Sequence, residues 1–352
     1  IQIPNTKNLK LIHMPGAGID GINFKSVPKG CKVCNVYEHE VPIAEYCLAN
    51  ILNWEMKLPD KVIKFKKLDW SDSIIFDGPT HSEISNKTVG IYGYGKIGIE
   101  ISKRLKPFNI NTIGFTRVLR KKDNYLKEIL LSNKLKQTVH KLDYLIISCP
   151  LTNITKGSIN QSILSLMKKT AVIINIARGA IINEKDLYIA LNKKKIGGAI
   201  IDTWFKYPAD KSEKDFKPSI YAFNKLSNVV MTPHISAWSE EMIMRRSSVI
   251  SNNIERLLCS QNMSFISFTS AIRKIRNTEL GEPFRVGNIP GLSLLRLRAS
   301  SRVRRSGAVR ALGGRYNEIR AGVPTGLNPL DTEIDEPTLQ RHVEAVLMSV
   351  EK

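Results

Sequence analysis

The chain has 352 residues, of which 42% are hydrophobic and 24% are charged, and its formal net charge is +21. This length allows roughly two or three domains with buried cores, and the composition excludes collagen-like, disulfide-scaffold and wholly disordered chains. No run reaches about 18 uninterrupted apolar residues, so no membrane-spanning helix is predicted. The five cysteines indicate a reducing compartment, the cytoplasm, rather than a disulfide framework.

The positive charge has a different origin in two parts of the chain. Residues 1–268 contain 32 Lys and 7 Arg against 23 acidic residues, whereas residues 269–352 contain 2 Lys and 12 Arg against 9 acidic residues. The lysines of the first part are scattered, which favours a solvated surface over nucleic-acid binding. The change of composition marks a boundary, and we expect residues 269–352 to be a foreign, largely disordered tail.

The first quarter of the chain contains few predicted elements. Residues 9–13 and 32–35 are predicted strands, and residues 42–53 are a predicted helix with an apolar face. Residues 57–86 are rich in Lys, Asp and Ser, and we expect them to form a polar surface segment.

Strands and helices alternate over residues 86–235. The predicted strands are 88–92, 111–116, 144–148, 171–176, 198–202 and 229–231, and the helices among them include 97–105 and 184–192. Continuous apolar strands that alternate with helices are typical of a parallel sheet covered on both faces. The sequence therefore predicts an α/β fold with a doubly wound parallel sheet, followed by a charged helix over residues 239–258.

A glycine-rich motif, Gly-Tyr-Gly-Lys-Ile-Gly, follows the first strand of this alternation and opens a helix. Gly93 permits a tight turn, Gly95 lets the backbone approach a pyrophosphate, and Gly98 allows close helix packing. Lys96 and Ile97 begin the helix, whose N-terminus would face the phosphates. Such a motif alone is weak evidence, but its strand–turn–helix context meets the confirming condition for a dinucleotide site.

The residue at the end of the second strand of the alternation selects between NAD and NADP. NAD sites place Asp or Glu there to bind the ribose 2′-hydroxyl, but this strand ends in Thr116 and Arg117. Arg117 can pair with a 2′-phosphate through two N–H groups, and Arg120, Lys121 and Lys122 follow closely. The sequence favours NADP over NAD, with an exposed basic loop as the alternative.

Seven motifs, in order and at consistent spacing, resemble those of the D-isomer-specific 2-hydroxyacid dehydrogenase family over about residues 9–268. They are GAGID (16–20), AEYCL (44–48), GYGKIG (93–98), CPLT (149–152), NIARGAIINEKDL (175–187), GAIIDTW (198–204) and TPHISAW (232–238). The resemblance implies hydride transfer in a cleft between a nucleotide domain and a smaller substrate domain, and a homodimer.

On this resemblance we expect the chain to consist of four parts. Residues 1–40 would be a remnant of the substrate domain, because the chain opens without Met and the family's domain begins earlier. Residues 41–237 would be the NAD(P)-binding domain, and residues 238–268 a helix that returns to the substrate domain. Residues 269–352 have no counterpart in the family.

Arg178, His234 and Tyr207 are the predicted catalytic residues, with Tyr207 in the position of the group that pairs with the histidine. Reduction of a 2-oxo acid requires a group that holds the carboxylate, polarisation of the ketone and a proton for the forming alkoxide. Arg178 suits the first two tasks because its planar guanidinium binds carboxylate and carbonyl oxygens. His234, with an ordinary pKa near ~6.5, suits the proton transfer. The alternatives are a surface arginine and a structural histidine.

The resemblance also assigns binding residues. The backbone N–H groups of Ala17 and Gly18 match a second site for the substrate carboxylate. Asp202 matches the position that binds the nicotinamide carboxamide, and capping of a turn is the alternative. The remaining predicted cofactor contacts are Cys149, which we interpret as a packing residue, Pro150, Ile176 and Ala177.

The segment after Asp202 departs from the family pattern. The family usually has a carboxylate just before the proline, paired with the catalytic histidine, but here Tyr207 precedes Pro208. A phenol can orient an imidazole by hydrogen bonding, but it supplies no negative charge at neutral pH, so it stabilises imidazolium less. Two functions stay open: a reductase of 2-oxo acids such as glyoxylate or hydroxypyruvate, or a non-catalytic NAD(P)-binding regulator on the same fold.

Two further sequence patterns are weaker indications of function. Cys31 and Cys34 form a CxxC pair, but no second pair accompanies them, so no metal site is predicted. About 20 residues within 309–330 resemble part of conjugative type IV secretion ATPases, without the GxxxxGK[ST] loop that binds nucleotide triphosphates. A third interpretation treats the tail as an arm that binds nucleic acid or a partner, with a steep salt dependence if it binds DNA.

Overall fold

The structure, a computed structural model, describes residues 8–19, 21–210 and 212–260. The described residues divide into two compact units. The larger unit is His39–Trp238, and the smaller unit consists of the residues before His39 together with those from Ser239 onward. The Arg-rich tail, with its secretion-ATPase resemblance and its interpretation as a nucleic-acid-binding arm, lies outside the described residues.

Nine strands and seven helices occur in the part of the chain that the structure describes. The strands are β1 (Leu11–His13), β2 (Lys32–Cys34), β3 (Thr88–Tyr92), β4 (Asn111–Thr116), β5 (Glu128–Leu131), β6 (Tyr144–Ile147), β7 (Val172–Asn175), β8 (Gly198–Ile201) and β9 (Val229–Met231). The helices are α1 (Glu40–Met56), α2 (Leu58–Phe65), α3 (Lys96–Leu105), α4 (Leu135–Thr138), α5 (Gln161–Leu164), α6 (Glu184–Asn192) and α7 (Glu240–Ser260). None of these described helices is both long and apolar enough to cross a membrane.

The larger unit is built on one parallel sheet of seven strands in the spatial order β5-β4-β3-β6-β7-β8-β9. Strands β6, β7 and β8 are buried along their whole length, as apolar runs in a sheet covered on both faces must be. The chain proceeds outward from β3 on one side and then restarts at β6 on the other, which is the doubly wound arrangement. The predicted fold class is confirmed.

Helices cover the two faces of this sheet, and the alternation of side chains along each strand divides the core into two clusters. Along β7, Val172 and Ile174 join the cluster that contains residues of α1 and α3. Ile173 joins the opposite cluster, which includes Leu187 and Leu191 of α6. The core therefore fixes the strand ends, where the loops of the site begin.

The smaller unit has its own small core. Strands β1 and β2 pair in parallel, and Leu11 and Val36 pack with Ile250, Ile254 and Leu257 of α7. The three α7 residues recur at helical spacing, which places them on one face. That this unit contributes to substrate binding stays a prediction.

The sequence analysis missed four elements of the larger unit, which are strand β5 and the helices α2, α4 and α5. Strand β5 lies at the edge of the sheet, and its partly exposed residues give no continuous apolar run. Residues 57–86, expected to be a polar segment, contain the helix α2 and a series of exposed apolar side chains. The expectation of a surface segment was therefore incomplete, because scattered lysines obscured the apolar residues between them.

Candidate active site

The predicted site residues of the larger unit all follow carboxyl ends of parallel strands. They are Gly93, Gly95, Lys96, Ile97 and Gly98 after β3, Thr116 and Arg117 at the end of β4, Cys149 and Pro150 after β6, Ile176, Ala177 and Arg178 after β7, Asp202 and Tyr207 after β8, and His234 after β9. Parallel strands present their carboxyl ends at one edge, where doubly wound folds bind ligands. The structure therefore brings the predicted dinucleotide residues and the predicted catalytic residues of this unit to the same edge.

The glycine loop after β3 has the geometry that a pyrophosphate requires. Gly93 has φ +104°, and a Cβ there would lie 2.3 Å from the backbone nitrogen of Cys149. A Cβ on Gly95 would meet nothing within 4 Å, so the backbone is open to a ligand there, while one on Gly98 would lie 3.0 Å from the Tyr94 ring. Gly95 is the N-cap of α3 and supplies no side-chain cap, so the positive end of the helix dipole is suited to an anion. The loop fits a dinucleotide phosphate.

Cys149 is a buried packing partner of this loop. Burial raises the pKa of its thiol to about 12, so the sulfur is neutral at physiological pH. The hydroxyl of Ser148, the preceding residue, donates to the carbonyl of Gly93 at 3.0 Å. These contacts hold the carboxyl ends of β3 and β6 together and agree with a packing role for Cys149.

Tyr94, within the glycine loop, anchors that loop to its surroundings. Its hydroxyl donates to the Asp123 carboxylate at 2.7 Å and lies 2.8 Å from the Ser102 hydroxyl. Arg120 donates to the Tyr94 carbonyl at 2.6 Å, and its guanidinium lies 5.2 Å from the ring centroid. Asp123, the first carboxylate after β4, is therefore engaged by a phenol. Sequence reasoning missed this arrangement, although an aromatic residue inside a glycine loop was a visible signal.

The end of β4 presents a basic loop. The Thr116 hydroxyl donates to the Val118 carbonyl at 3.1 Å and so closes a tight turn. Arg117, Lys121 and Lys122 are exposed, and Arg117 makes no hydrogen bond or ion pair with the described residues. A guanidinium in that position has all its donors available for a phosphate.

Arg178 is positioned by Asn175, a buried polar residue at the end of the apolar strand β7. The side-chain oxygen Oδ1 of Asn175 accepts from the Ala177 N–H at 3.2 Å, and the side-chain Nδ2 of Asn175 donates to the backbone carbonyl of Arg178 at 3.1 Å. The half-buried guanidinium of Arg178 donates to the Ala177 carbonyl at 2.8 Å. Asn175 was not predicted as a site residue, although a polar residue that ends an apolar run is the signal that marks it.

The loop that carries His234 is held by a fully buried carboxylate. Asp202 accepts hydrogen bonds from the Ile235 N–H at 2.8 Å, the Ser236 N–H at 2.9 Å and the Thr232 hydroxyl at 2.6 Å. His234 itself has φ +60°, a left-handed conformation in which histidine is enriched. Asp202 thus fixes both sides of His234, and it caps this loop rather than the turn after its own strand.

A second contact reaches the same loop from helix α1. The hydroxyls of Tyr46 and Thr232 lie 2.7 Å apart. Because Thr232 donates its proton to Asp202, Tyr46 is the donor to Thr232. The indole N–H of Trp204 also donates to the Thr232 carbonyl at 2.8 Å. Thr232 and Tyr46 lie in two of the sequence motifs but had no predicted role. The sequence does not indicate a contact between positions that are 186 residues apart.

Tyr207 contacts His234 through its ring. The ring centroids lie 5.6 Å apart with an interplanar angle of 46°. The Tyr207 hydroxyl accepts from the Trp204 N–H at 3.0 Å. The phenol is therefore fixed to the backbone, and the structure gives a ring contact where a hydrogen bond to the imidazole was envisaged.

The charged groups around His234 shift its pKa in opposite directions. Part of the imidazole surface stays accessible, but the surrounding protein desolvates the ring and lowers its pKa. The Asp202 carboxylate opposes this shift of the His234 pKa, and the Arg178 guanidinium reinforces it. Burial raises the pKa of Tyr207, so the phenol stays neutral beside the histidine. The site can move a proton and bind an anion.

Two further predicted sets lie in the smaller unit. The loop of Ala17 and Gly18 is ordered by the Asn35 amide, which donates to the Ala17 carbonyl at 2.9 Å. Its role in carboxylate binding stays a prediction. Cys31 and Cys34 are free thiols, and among the described residues no group of His, Cys, Asp and Glu is arranged to hold a metal ion.

Known proteins resemble the chain over this same region. A family model, described as the D-isomer specific 2-hydroxyacid dehydrogenase NAD-binding domain, matches residues 48–236. The chain is 30% identical over 258 residues to D-3-phosphoglycerate dehydrogenase of Methanocaldococcus jannaschii, covering 73% of this chain and 47% of that protein. It therefore spans about half the length of that relative.

Two other similar proteins are covered more fully. The chain is 31% identical to human glyoxylate reductase/hydroxypyruvate reductase over 70% of this chain and 73% of that protein. Among solved structures, an acyclic imino acid reductase in complex with NADPH and D-Arg superposes with a TM-score of 0.61 at 26% identity, covering 72% of this chain and 76% of the other.

Proposed function

The chain belongs to the D-isomer specific 2-hydroxyacid dehydrogenase family, and we propose that it transfers a hydride between NAD(P)H and a small 2-oxo acid. One observation carries the proposal: Arg178 and His234 follow strands β7 and β9 at the edge where the glycine loop opens. The name of the human relative, glyoxylate reductase/hydroxypyruvate reductase, supports this substrate class.

The chain's own residues supply binding and proton transfer. A nicotinamide dinucleotide, when bound, supplies the hydride. Arg178 binds the substrate carboxylate through its planar guanidinium and polarises the ketone oxygen. His234, as imidazolium, donates its proton to that oxygen as the carbonyl carbon gains the two hydride electrons. Oxidation of the 2-hydroxy acid reverses each transfer, with neutral His234 as the base.

We propose NADP as the preferred cofactor. The support is the exposed guanidinium of Arg117 at the end of β4, which has no hydrogen-bond or ion-pair partner within the described part of the chain, together with the engagement of Asp123 by Tyr94. An arginine at this position favours a 2′-phosphate, whereas NAD sites place a carboxylate there. The NADPH complex of the imino acid reductase is a further indication.

Two broader features belong to the same proposal. The family resemblance supports a homodimer, and the use of five cysteines without a disulfide framework supports a cytoplasmic location. Asp202, in addition to its loop contacts, is proposed to bind the nicotinamide carboxamide.

The test is a screen of 2-oxo acids, glyoxylate and hydroxypyruvate first, with NADH and NADPH on the full-length natural protein. Cofactor oxidation that depends on the 2-oxo acid and is lost in His234→Ala is the expected result. Binding of either dinucleotide without turnover of any 2-oxo acid would contradict the enzyme proposal and favour the non-catalytic regulator.

A further inference from the structure

We propose that Tyr46 of helix α1 is a positioning residue for His234, which it reaches through the Thr232 hydroxyl and the Asp202 carboxylate. The inference rests on the proposed reductase function, because it concerns the step in which His234 gives its proton to the substrate oxygen. It is carried by a continuous chain of hydrogen bonds within the larger unit and by the burial of the groups in that chain.

The chain of hydrogen bonds joins α1 to the ends of β8 and β9. The Tyr46 hydroxyl lies 2.7 Å from the Thr232 hydroxyl, which donates to Oδ1 of Asp202 at 2.6 Å. The same oxygen accepts from the Ile235 N–H at 2.8 Å. One carboxylate oxygen therefore connects a side chain of α1 to the residue that follows His234.

The direction of donation along this chain is fixed. A hydroxyl has one proton, and Thr232 gives its proton to Asp202, since an ionised carboxylate can only accept. Tyr46 is therefore the donor to Thr232, and burial raises the pKa of its phenol, so the phenol keeps that proton at neutral pH. Cys47, the next residue of α1, is fully buried, and burial and the charge of Asp202 raise the pKa of its thiol. Both α1 residues thus present neutral groups to Asp202.

Tyr46 can adjust how strongly Asp202 is compensated. Of the donors that the described residues give to Asp202, those of Ile235 and Ser236 are backbone N–H groups, which no substitution removes. The remaining donor is the Thr232 hydroxyl. Its strength depends on what donates to it in turn, because hydrogen bonds in a chain polarise one another. Tyr46 thereby strengthens the bond from Thr232 and draws the negative charge of Asp202 away from His234.

The effect on His234 has a definite sign. Among the described residues of the larger unit, the charged or titratable groups that face His234 are Asp202, Arg178 and Tyr207. Desolvation lowers the pKa of the imidazole, Asp202 raises it and Arg178 lowers it further, while the Tyr207 phenol is neutral. A carboxylate that is less compensated stabilises imidazolium more. Loss of the Tyr46 hydroxyl should therefore raise the His234 pKa and loosen its loop, whereas a contact that served stability alone would only loosen the loop.

The first experiment is an NMR titration of the His234 imidazole in the full-length protein labelled with 13C-histidine. The chain has six histidines, and His234→Ala assigns the signal. We expect the titration midpoint to move up by roughly 0.3 pH units in Tyr46→Phe and by roughly 0.5–1 pH unit in Thr232→Val, which removes the whole donor. Thr232→Ser keeps the hydroxyl and should titrate like the parent.

Two further variants make this titration specific. In the Thr232→Val protein, Tyr46→Phe should add almost no further shift, because Tyr46 acts through Thr232. Tyr188→Phe is the matched control, since the Tyr188 ring stacks on Tyr221 and its hydroxyl makes no hydrogen bond with the described residues. Circular dichroism melting checks that each variant is folded.

The second experiment measures kcat and KM for 2-oxo acid reduction at a pH below the titration midpoint of every variant, where His234 is protonated in all of them. Tyr46→Phe should lower kcat roughly 3–10-fold, as for the loss of one ordinary hydrogen bond. KM should hardly change, because Arg178 still binds the substrate carboxylate.

The proposal would be overturned by a Tyr46→Phe protein whose midpoint and kcat equal those of Tyr188→Phe. A fall of kcat without any movement of the midpoint would overturn it as well, since that is the behaviour of a merely structural contact. A parent that turns over no 2-oxo acid would instead overturn the proposed function, and the titration would still decide whether Tyr46 acts on His234.

Discussion

Two loops at the same edge of the sheet are built in opposite ways. The loop after β9, which carries His234, is held by Asp202 through three hydrogen bonds and by Tyr46 and Trp204 through Thr232. The loop after β4 begins with Arg117, which is exposed and makes no hydrogen bond or ion pair with the described residues.

The difference follows from what each loop has to do. Proton transfer requires the two heavy atoms to lie about 2.6–3.2 Å apart, so a proton donor works best when it is held in place before substrate arrives. Binding of a phosphate at the end of a dinucleotide needs charge and free donors, and an exposed arginine can supply both on contact. We therefore expect substitutions in the His234 loop to affect catalysis, and substitutions in the Arg117 loop to affect cofactor choice.

The largest expected effect is that of His234→Ala. Removal of the proton donor should lower kcat/KM for 2-oxo acid reduction by about 10²–10⁴-fold, while dinucleotide affinity is kept. Steady-state kinetics and cofactor titration measure the two quantities. His140→Ala, at an exposed histidine remote in sequence from the strand ends of the site, is the control and should match the parent. Equal activity in the two variants would remove His234 from the mechanism.

Arg178→Lys should have the next largest effect. Lysine keeps the charge but loses the planar two-pronged contact, so kcat/KM should fall by roughly 10–150-fold, the range for hydrogen bonds to charged groups. Dinucleotide affinity should persist. Arg256→Lys, the same substitution at an exposed position of α7, is the control and should match the parent. Near-parental kcat/KM in the Arg178→Lys variant would place the carboxylate site elsewhere.

Arg117→Ala separates the two loops most directly. The affinity for NADPH should fall by about 1.5 kcal/mol, the lower end of the range for charge-assisted hydrogen bonds because the site is exposed. The affinity for NADH and the kcat at saturating cofactor should hardly change. Fluorescence titration with each dinucleotide measures this, and equal losses for both would refute the NADP assignment.

The same contrast explains what the sequence could predict. Strands β3, β4 and β9 and helix α6 match their predicted bounds residue for residue, because continuous apolar runs and helical spacing are local signals. That the predicted site residues after β3, β4, β6, β7, β8 and β9 lie at one edge of the sheet was also predictable, since parallel strands bring their carboxyl ends together.

What the sequence could not predict is how those residues are held. The contact of Tyr46 with Thr232 joins positions 186 residues apart. The hydrogen bond from Arg120 to the Tyr94 carbonyl depends on how two separate loops fold. The exposed apolar side chains of residues 57–77 escaped for another reason: lysines and aspartates are interspersed among them, and only the structure shows which apolar residues are exposed.

The smallest expected effect, in the pH dependence, concerns Tyr207 beside His234. In the proposed mechanism reduction uses protonated His234, so the rate should decline as the pH rises through the pKa of that histidine. Because desolvation and Arg178 lower this pKa, the decline should occur below the ordinary histidine value of about 6.5. Tyr207→Glu would place a carboxylate where a neutral phenol now lies, which stabilises imidazolium and raises its pKa. The midpoint of the decline in kcat/KM should then move up by about one pH unit or more.

Tyr207→Phe is the control, since it keeps the ring beside the imidazole and adds no charge, so its midpoint should stay close to that of the parent. If the Glu and Phe variants share one midpoint, position 207 does not set the His234 pKa, and Asp202 is then the acidic group that the structure gives for that role.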